Sequence, residues 1–240
     1  MRTKIYISLA IALLVLCGSA FLMKKVVLAK PRISHDQAIA KYKPKVEAVL
    51  KSFCLKKNIS YPPKHLYLVG LKEEKELRIY AVDNDDERDL SSAKLLHTYN
   101  ILAASGEAGP KLKQGDWQVP EGFYKIDSFN PNSLYHLSLR VNYPNKEDKE
   151  HAQNEKRTKL GGDIMIHGSN ASVGCLAMGD DSIEEIYVLV SDVGRENVDV
   201  ILAPCNLAQT KCKIKMTEQP LWLAPLYRRL SDALNKLSLS

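Results

Sequence analysis

The feature that most constrains the fold is a series of short apolar segments between residues 65 and 203, separated by turn-rich sequence rather than by long helices. Short apolar runs bounded by turn residues are typical of β-strands. Because few long helices separate them, a parallel, doubly wound sheet is disfavoured. The sequence therefore predicts an α+β protein with a mixed, mainly antiparallel β core. The predicted strands cover residues 65–69, 77–82, 99–104, 123–126, 135–141, 163–166 and 198–203.

Helical periodicity is found at both ends of this region and once within it. Pro44 marks a kink or a fresh start in the first helix, and Asp180 or Asp181 is the predicted cap of the second. The stretch 146–162 is polar and has no apolar periodicity, so we predict a long loop that acts as a flap beside the site. The helices are predicted at 36–57, 182–189 and 221–237.

The beginning of the sequence is basic and then apolar, which is typical of an export signal. Arg2 and Lys4 precede the uncharged residues 5–23, and a helix of this length spans roughly 28 Å, about one hydrocarbon core. We expect the segment to be cleaved or retained as an inner-membrane anchor. The rest of the chain is then periplasmic, secreted or anchored to the inner membrane.

The net charge of +6 does not indicate a nucleic-acid partner. Of the 34 basic residues, six lie in the first 32 positions, which hold no acidic residue, so the remaining 28 equal the 28 acidic residues. The main part of the chain therefore lacks the basic surplus that binds a phosphate backbone.

The cysteines suggest an oxidising compartment if the chain is exported. Cys205 and Cys212 lie seven positions apart and form a feasible loop disulfide, whereas Cys54 lies on a predicted helix as a candidate buried free thiol. The sequence holds no C-x-x-C or H-E-x-x-H pattern, so we expect neither a metal site nor another cofactor.

Residues 166–176, IHGSNASVGCL, contain the most reactive combination of side chains in the chain. His167 lies eight positions before Cys175, which is framed by Ser172 and Gly174. A cysteine is nucleophilic as the thiolate, and a nearby imidazole can take its proton or, as imidazolium, lower its pKa. The glycines let the backbone pass close to a reacting carbonyl. This pattern predicts an acyl-transfer site.

These residues resemble the motif of the L,D-transpeptidase catalytic domain, or YkuD-type, family. Residues 111–124, KLKQGDWQVPEGFY, are similar to the family's G-D-x-x-T-P-E-G-x-Y segment. Residues 130–133 and 142–145, with the short spacing from histidine to cysteine, resemble the YafK-like branch. The resemblance implies a β-sandwich-like L,D-transpeptidase core with flanking N- and C-terminal helices. Together with the export signal and the predicted helices, it divides the chain into a signal or anchor (1–30), a linker and helix (31–63), a catalytic domain (64–204) and a helical extension (205–240).

The resemblance also implies a bacterial envelope enzyme that acts on peptidoglycan stem peptides. In this family the cysteine attacks the carbonyl of an L-centre followed by a D-residue and forms a thioester. Passing the acyl group to an amine is transpeptidation, whereas passing it to water makes a hydrolase, which can release a stem peptide or an envelope lipoprotein. A module that only binds peptidoglycan is a further alternative, although the intact pair of Cys175 and His167 favours an enzyme.

Carried over to this chain, Cys175 is the nucleophile and His167 the base. Gly168 offers its carbonyl to orient the imidazole. The N–H groups around Gly174 and Cys175 form the oxyanion hole, and Ser172 supports the loop or that hole.

Four further positions bear on the substrate. Tyr143 and His136 are weaker candidates for substrate contacts. Val173 and Ala177 depart from the family, in which many members have a second histidine or basic residue at the first position and arginine at the second. These departures put in doubt a second-histidine role and the way the substrate carboxylate is held.

Overall fold

The computed structural model describes residues 31–83, 90–172, 174–209 and 212–238, and in these ranges it contains four helices and eight strands. The helices are α1 His35–Lys56, α2 Lys146–Asn154, α3 Asp180–Val193 and α4 Leu223–Ser238. The strands are β1 His65–Leu71, β2 Glu76–Val82, β3 Lys94–Asn100, β4 Gly122–Ser133, β5 His136–Val141, β6 Met165–His167, β7 Leu176–Ala177 and β8 Val198–Ala203. The predicted signal or anchor, residues 5–23, lies outside these ranges. Within them, no helix combines the length and the apolar character needed to cross a membrane.

The strands are hydrogen-bonded in the order β3-β2-β1-β8-β4-β5-β6-β7. The pairs β1–β8 and β6–β7 are parallel, and the other neighbouring pairs are antiparallel. Strand β4 links the two halves, because its first residues pair with β8 and its later residues pair with β5. This arrangement confirms the predicted α+β fold with a mainly antiparallel sheet.

Helices cover both faces of the sheet. Leu66 and Leu68 of β1 lie in one core together with residues of α1 and α3, whereas Tyr67 and Val69 lie in a second core with residues of α4. Since both faces are covered, every residue of β1 is buried, and the strand shows no alternation of apolar and polar residues.

The predicted flap is wrong in part, because α2 occupies the first half of the segment 146–162. The Asn145 side chain accepts a hydrogen bond from the Asp148 N–H, and the Asp148 side chain accepts one from the Asn145 N–H. This reciprocal capping box satisfies two donors at the start of the helix. Ala152 is the buried residue of α2, so the helix has no apolar stripe that a sequence pattern can reveal.

Other predicted boundaries also require correction. Helix α1 continues through Pro44 without a second start. Helix α3 begins after Gly179, which makes no side-chain capping bond, so neither Asp180 nor Asp181 is its cap. The third strand runs over Lys94–Asn100 rather than 99–104, because its register follows the pairing with β2.

The C-terminal extension begins with a disulfide loop and is joined to the start of β4 by a buried network. Cys205 and Cys212 form the predicted disulfide. Glu121 accepts hydrogen bonds from Lys72 Nζ at 2.9 Å, from the Gly109 N–H at 2.8 Å and from the Tyr227 hydroxyl of α4 at 2.6 Å. We call these four residues the Glu121 network. It fixes the start of β4 to helix α4, in keeping with a structural rather than catalytic role for this carboxylate.

Candidate active site

The candidate residues His167 and Cys175 lie at neighbouring parallel strands, β6 and β7, at the edge of the sheet. His167 ends β6 and pairs in register with Ala177 of β7. Cys175 directly precedes β7, and the Met165 N–H, two residues before the histidine, donates to Cys175 Sγ at 3.3 Å. The topology therefore brings together residues whose pairing the sequence only suggested by spacing.

The imidazole of His167 is buried and held in one orientation. Its Nδ1 donates to the Gly168 carbonyl oxygen at 2.6 Å, and its ring packs against the Tyr135 ring with centroids 4.8 Å apart. Because Nδ1 carries the proton in this bond, Nε2 is the nitrogen with a lone pair. Burial lowers the pKa of His167 below its ordinary value, partly offset by the Gly168 carbonyl. A neutral imidazole is the form that can accept a proton.

Gly168 occupies a position where a side chain has no room. A Cβ there would lie 2.6 Å from Asp180 Oδ1, 2.8 Å from the Tyr135 carbonyl oxygen and 2.9 Å from His136 Cβ. The close approach lets the chain turn directly after β6 and present its carbonyl to the imidazole. The predicted role of Gly168 as the orienting acceptor fits this geometry.

The thiol of Cys175 is seated against the backbone that leads into β6. Its S–H donates to the Asp163 carbonyl oxygen at 3.5 Å. Burial raises the pKa of the Cys175 thiol, and the Met165 N–H and the charge of Lys111 offset only part of that effect. Among the described residues, no hydrogen bond links Sγ to the His167 ring. Both pKa shifts favour the neutral imidazole and the neutral thiol, so a preformed thiolate–imidazolium pair, which the sequence allowed, is disfavoured.

Hydroxyl groups hold the loop that precedes Cys175. Ser172 Oγ donates to the Cys175 carbonyl oxygen at 2.6 Å and accepts from the Cys175 N–H at 3.0 Å. The Gly174 N–H donates to Ser105 Oγ, and Gly174 has a φ of 82°, which favours glycine. The predicted oxyanion donors are therefore both bonded to serine hydroxyls in the resting state.

Ser105 is a residue that the sequence analysis missed. It lies 69 positions before Gly174 in the chain and also donates to the Trp117 carbonyl oxygen at 2.7 Å. No local pattern identifies such a contact, because the folding of the sheet brings the two loops together.

A cleft of about 310 Å³ opens beside Gly174, the residue before Cys175. It lies between the segments 111–117 and 161–164 and reaches Gly174. Trp117 stands at its edge with 64% of its surface exposed. A larger cleft of about 540 Å³ surrounds His65 and Asp199, and no described residue of the segment 163–175 lines it. The smaller cleft is the better candidate for substrate because Gly174, the residue before Cys175, lines it.

The two weaker candidates have structural partners. The Tyr143 hydroxyl donates to the Leu160 carbonyl oxygen at 3.2 Å, and 3% of the residue is exposed. His136 Nε2 lies 2.8 Å from Glu184 Oε1 of α3. These contacts account for both side chains without a substrate.

Known proteins resemble the part of the chain that contains this candidate site. The L,D-transpeptidase catalytic domain family, YkuD, matches residues 72–200. An Escherichia coli K12 protein named "Putative L,D-transpeptidase YafK" is 32% identical over 153 residues, which cover 62% of this chain and 57% of that protein. These matches confirm the resemblance to the family and to its YafK-like branch. The chain thus spans less than two thirds of the length of this relative.

Two solved structures are similar in fold. The helical cell shape determining protein Pgp2 from Campylobacter jejuni has a TM-score of 0.48 and 23% identity, with 71% of this chain and 54% of that chain covered. Bd1075 from Bdellovibrio bacteriovorus has a TM-score of 0.41 and 17% identity, with 75% and 56% covered.

Proposed function

Because the chain belongs to the L,D-transpeptidase catalytic domain family, we propose that it is a cell-envelope cysteine acyltransferase acting on peptidoglycan stem peptides. The observation that carries the proposal is the buried imidazole of His167, held by the Gly168 carbonyl oxygen at 2.6 Å, one strand away from Cys175 at the edge of a cleft. We further propose that residues 5–23 direct the protein to the envelope.

In the first half-reaction, Cys175 Sγ attacks the carbonyl carbon of the L-centre while its proton passes to His167 Nε2. The bond between this carbonyl carbon and the D-residue's nitrogen then breaks. His167 returns the proton to the leaving amine, and a thioester remains on Cys175. Because both groups are neutral at rest, proton transfer accompanies the attack, which is general-base catalysis.

In the second half-reaction, an amine or water attacks the thioester and gives its proton to His167. The carbon–sulfur bond breaks, and His167 returns the proton to the departing sulfur, which restores the thiol of Cys175. The N–H groups of Gly174 and Cys175 would turn from the serine hydroxyls towards the oxyanion that forms in each step. The acyl-enzyme is common to transpeptidase and hydrolase, so the acceptor alone distinguishes them.

The test is mass spectrometry of muropeptides after incubation with the purified full-length protein. New 3–3 cross-links indicate a transferase, whereas freed tripeptide ends indicate a hydrolase, including one that releases a bound lipoprotein. A Cys175→Ala variant is the matched control, since it removes only the sulfur. Unchanged muropeptides with the wild-type protein, together with retained binding to peptidoglycan, would favour the non-catalytic module and contradict the proposal.

A further inference from the structure

Arg140 on β5 is a partly exposed cation that lies next to β6, the strand whose residue Met165 contacts the Cys175 thiol. Resting on the proposed function, we propose that Arg140 binds the free carboxylate of the D-residue in the stem-peptide substrate and so determines specificity. Cleavage after an L-centre requires the D-residue to be positioned beyond the thiol. If that residue is terminal, its α-carboxylate is the charged group nearest to the bond that breaks.

The sheet places Arg140 next to the seat of Cys175. Arg140 pairs in register with Met165 of β6, and the Met165 N–H donates to Cys175 Sγ at 3.3 Å. Arg140 Nη2 lies 3.2 Å from Asp163 Oδ1, and the Asp163 carbonyl oxygen accepts from the same thiol. The guanidinium therefore reaches the residue that borders both the thiol and the cleft.

The present partners of Arg140 are exchangeable. The Arg140 side chain is 42% exposed, and its partners Asp163 and Asp127 are 79% and 53% exposed. Ion pairs at such exposure contribute little to stability. The Asp127 contact is long, at 3.7 Å, and a guanidinium has five N–H donors in a planar fork that suits a carboxylate. A substrate carboxylate can thus replace or join these partners at small cost.

Lys111 is the competing cation, because it lines the cleft. Its Nζ lies 2.5 Å from Asp116 Oδ1 and 3.1 Å from the Lys113 carbonyl oxygen. The side chains of this pair are only 6% and 13% exposed. If Lys111 turned towards a substrate, the nearly buried carboxylate of Asp116 would lose its cation, which is costly. Lys111 therefore serves the loop, and Arg140 is the cation available to substrate.

The experiment compares two forms of one tetrapeptide stem substrate, with the terminal D-residue as the free acid or as the amide. For the wild-type protein we expect kcat/KM to be about ten- to hundredfold higher for the free acid, the range of a charge-assisted hydrogen bond. Arg140→Gln should remove this preference, mainly by raising KM for the free acid, and leave the amide unchanged. Arg140→Lys should restore part of the preference.

Arg78→Gln is the matched control, since Arg78 also forms a partly exposed ion pair, with Glu76, but lies on β2 in the other half of the sheet. It should keep the wild-type preference. An Arg140→Gln protein that still prefers the free acid would overturn the inference and leave the proposed function standing. If the wild-type protein turns over neither peptide, the proposed function fails. Calorimetric binding of the free acid to Cys175→Ala, with and without Arg140→Gln, then decides the role of Arg140 separately.

Discussion

The Glu121 network is a buried group of ionisable side chains, and the pair of His167 and Cys175 combines a buried imidazole with a half-buried thiol, but the two groups have different partners. In the network, both carboxylate oxygens of Glu121 accept hydrogen bonds from buried donors. In the pair, His167 uses one ring nitrogen on a carbonyl, and the thiol makes two long contacts with the backbone. Because both oxygens of Glu121 are hydrogen-bonded, its network holds a loop and a helix in place. His167 Nε2 instead keeps a lone pair, and the thiol of Cys175 keeps a proton, for chemistry.

The largest expected effect is the loss of turnover when the side chain of Cys175 or His167 is removed. Cys175→Ala should abolish turnover, and His167→Ala should lower kcat by about 10²–10⁴-fold, the usual contribution of a general base. Neither change should lower the free energy of unfolding as much as the loss of the Glu121 network does. Steady-state kinetics with stem peptides and denaturant titration measure the two effects. Turnover that survives in Cys175→Ala would rule out the thioester.

Removing the central carboxylate of the Glu121 network should lower stability. Glu121→Ala leaves Lys72 and Tyr227 buried without their shared acceptor, and we expect the free energy of unfolding to fall by about 3–5 kcal/mol. The control is Glu76→Ala, which breaks the partly exposed pair with Arg78 and should cost less than about 1 kcal/mol. Urea titration of both variants makes the comparison. Similar losses in the two would show that the Glu121 network is not the stronger anchor.

The pH profile tests whether the resting pair is neutral. Burial lowers the pKa of His167 below 6.5, so the imidazole stays neutral and competent as a base at pH values where an ordinary histidine is charged. The acidic limb of kcat/KM should therefore have its midpoint below pH 6.5. Burial raises the pKa of the Cys175 thiol above its ordinary range, so its alkylation by iodoacetamide should be slow at neutral pH and should keep rising with pH beyond the point at which an ordinary thiol levels off. Rapid alkylation well below pH 8 would instead indicate an ion pair.

The smallest expected effect concerns the loop before the nucleophile. Ser172→Ala removes two hydrogen bonds to the backbone of Cys175, and each such bond is worth about 0.5–1.5 kcal/mol. We expect kcat to fall about tenfold with little change in KM, because the loop positions reacting atoms rather than substrate. Ser52→Ala on α1, which removes a bond to the Val49 carbonyl oxygen, is the control and should leave kcat unchanged.

The elements that the sequence predicted best have strong periodic patterns or local chemistry. Helix α4 and strands β1 and β2 have continuous apolar patterns, and the two disulfide cysteines are close in the chain. Helix α2 was missed because Ala152 is its buried residue, although Asn145 and Asp148 have the spacing of a capping box. The sequence named His167, Gly168 and Cys175 from one short motif.

Contacts between segments that are distant in the chain could not be predicted from the sequence. Ser105 bonds to Gly174 across 69 positions, and Arg140 reaches Asp163 only because β5 pairs with β6. The pKa directions of the reactive pair also depend on burial by the whole fold. Spacing in the chain indicates His167 and Cys175 as candidates, but the sheet register determines which side chains surround them.

The central claim is that Cys175 forms a thioester with the stem peptide after His167 takes its proton. The most direct measurement is intact-protein mass spectrometry of the full-length protein, quenched in acid during turnover of a tetrapeptide stem. We predict an added mass equal to the acyl portion, mapped to Cys175 by proteolysis and absent from Cys175→Ala. Continued turnover with no adduct on Cys175, or an adduct on Cys54 instead, would contradict the account.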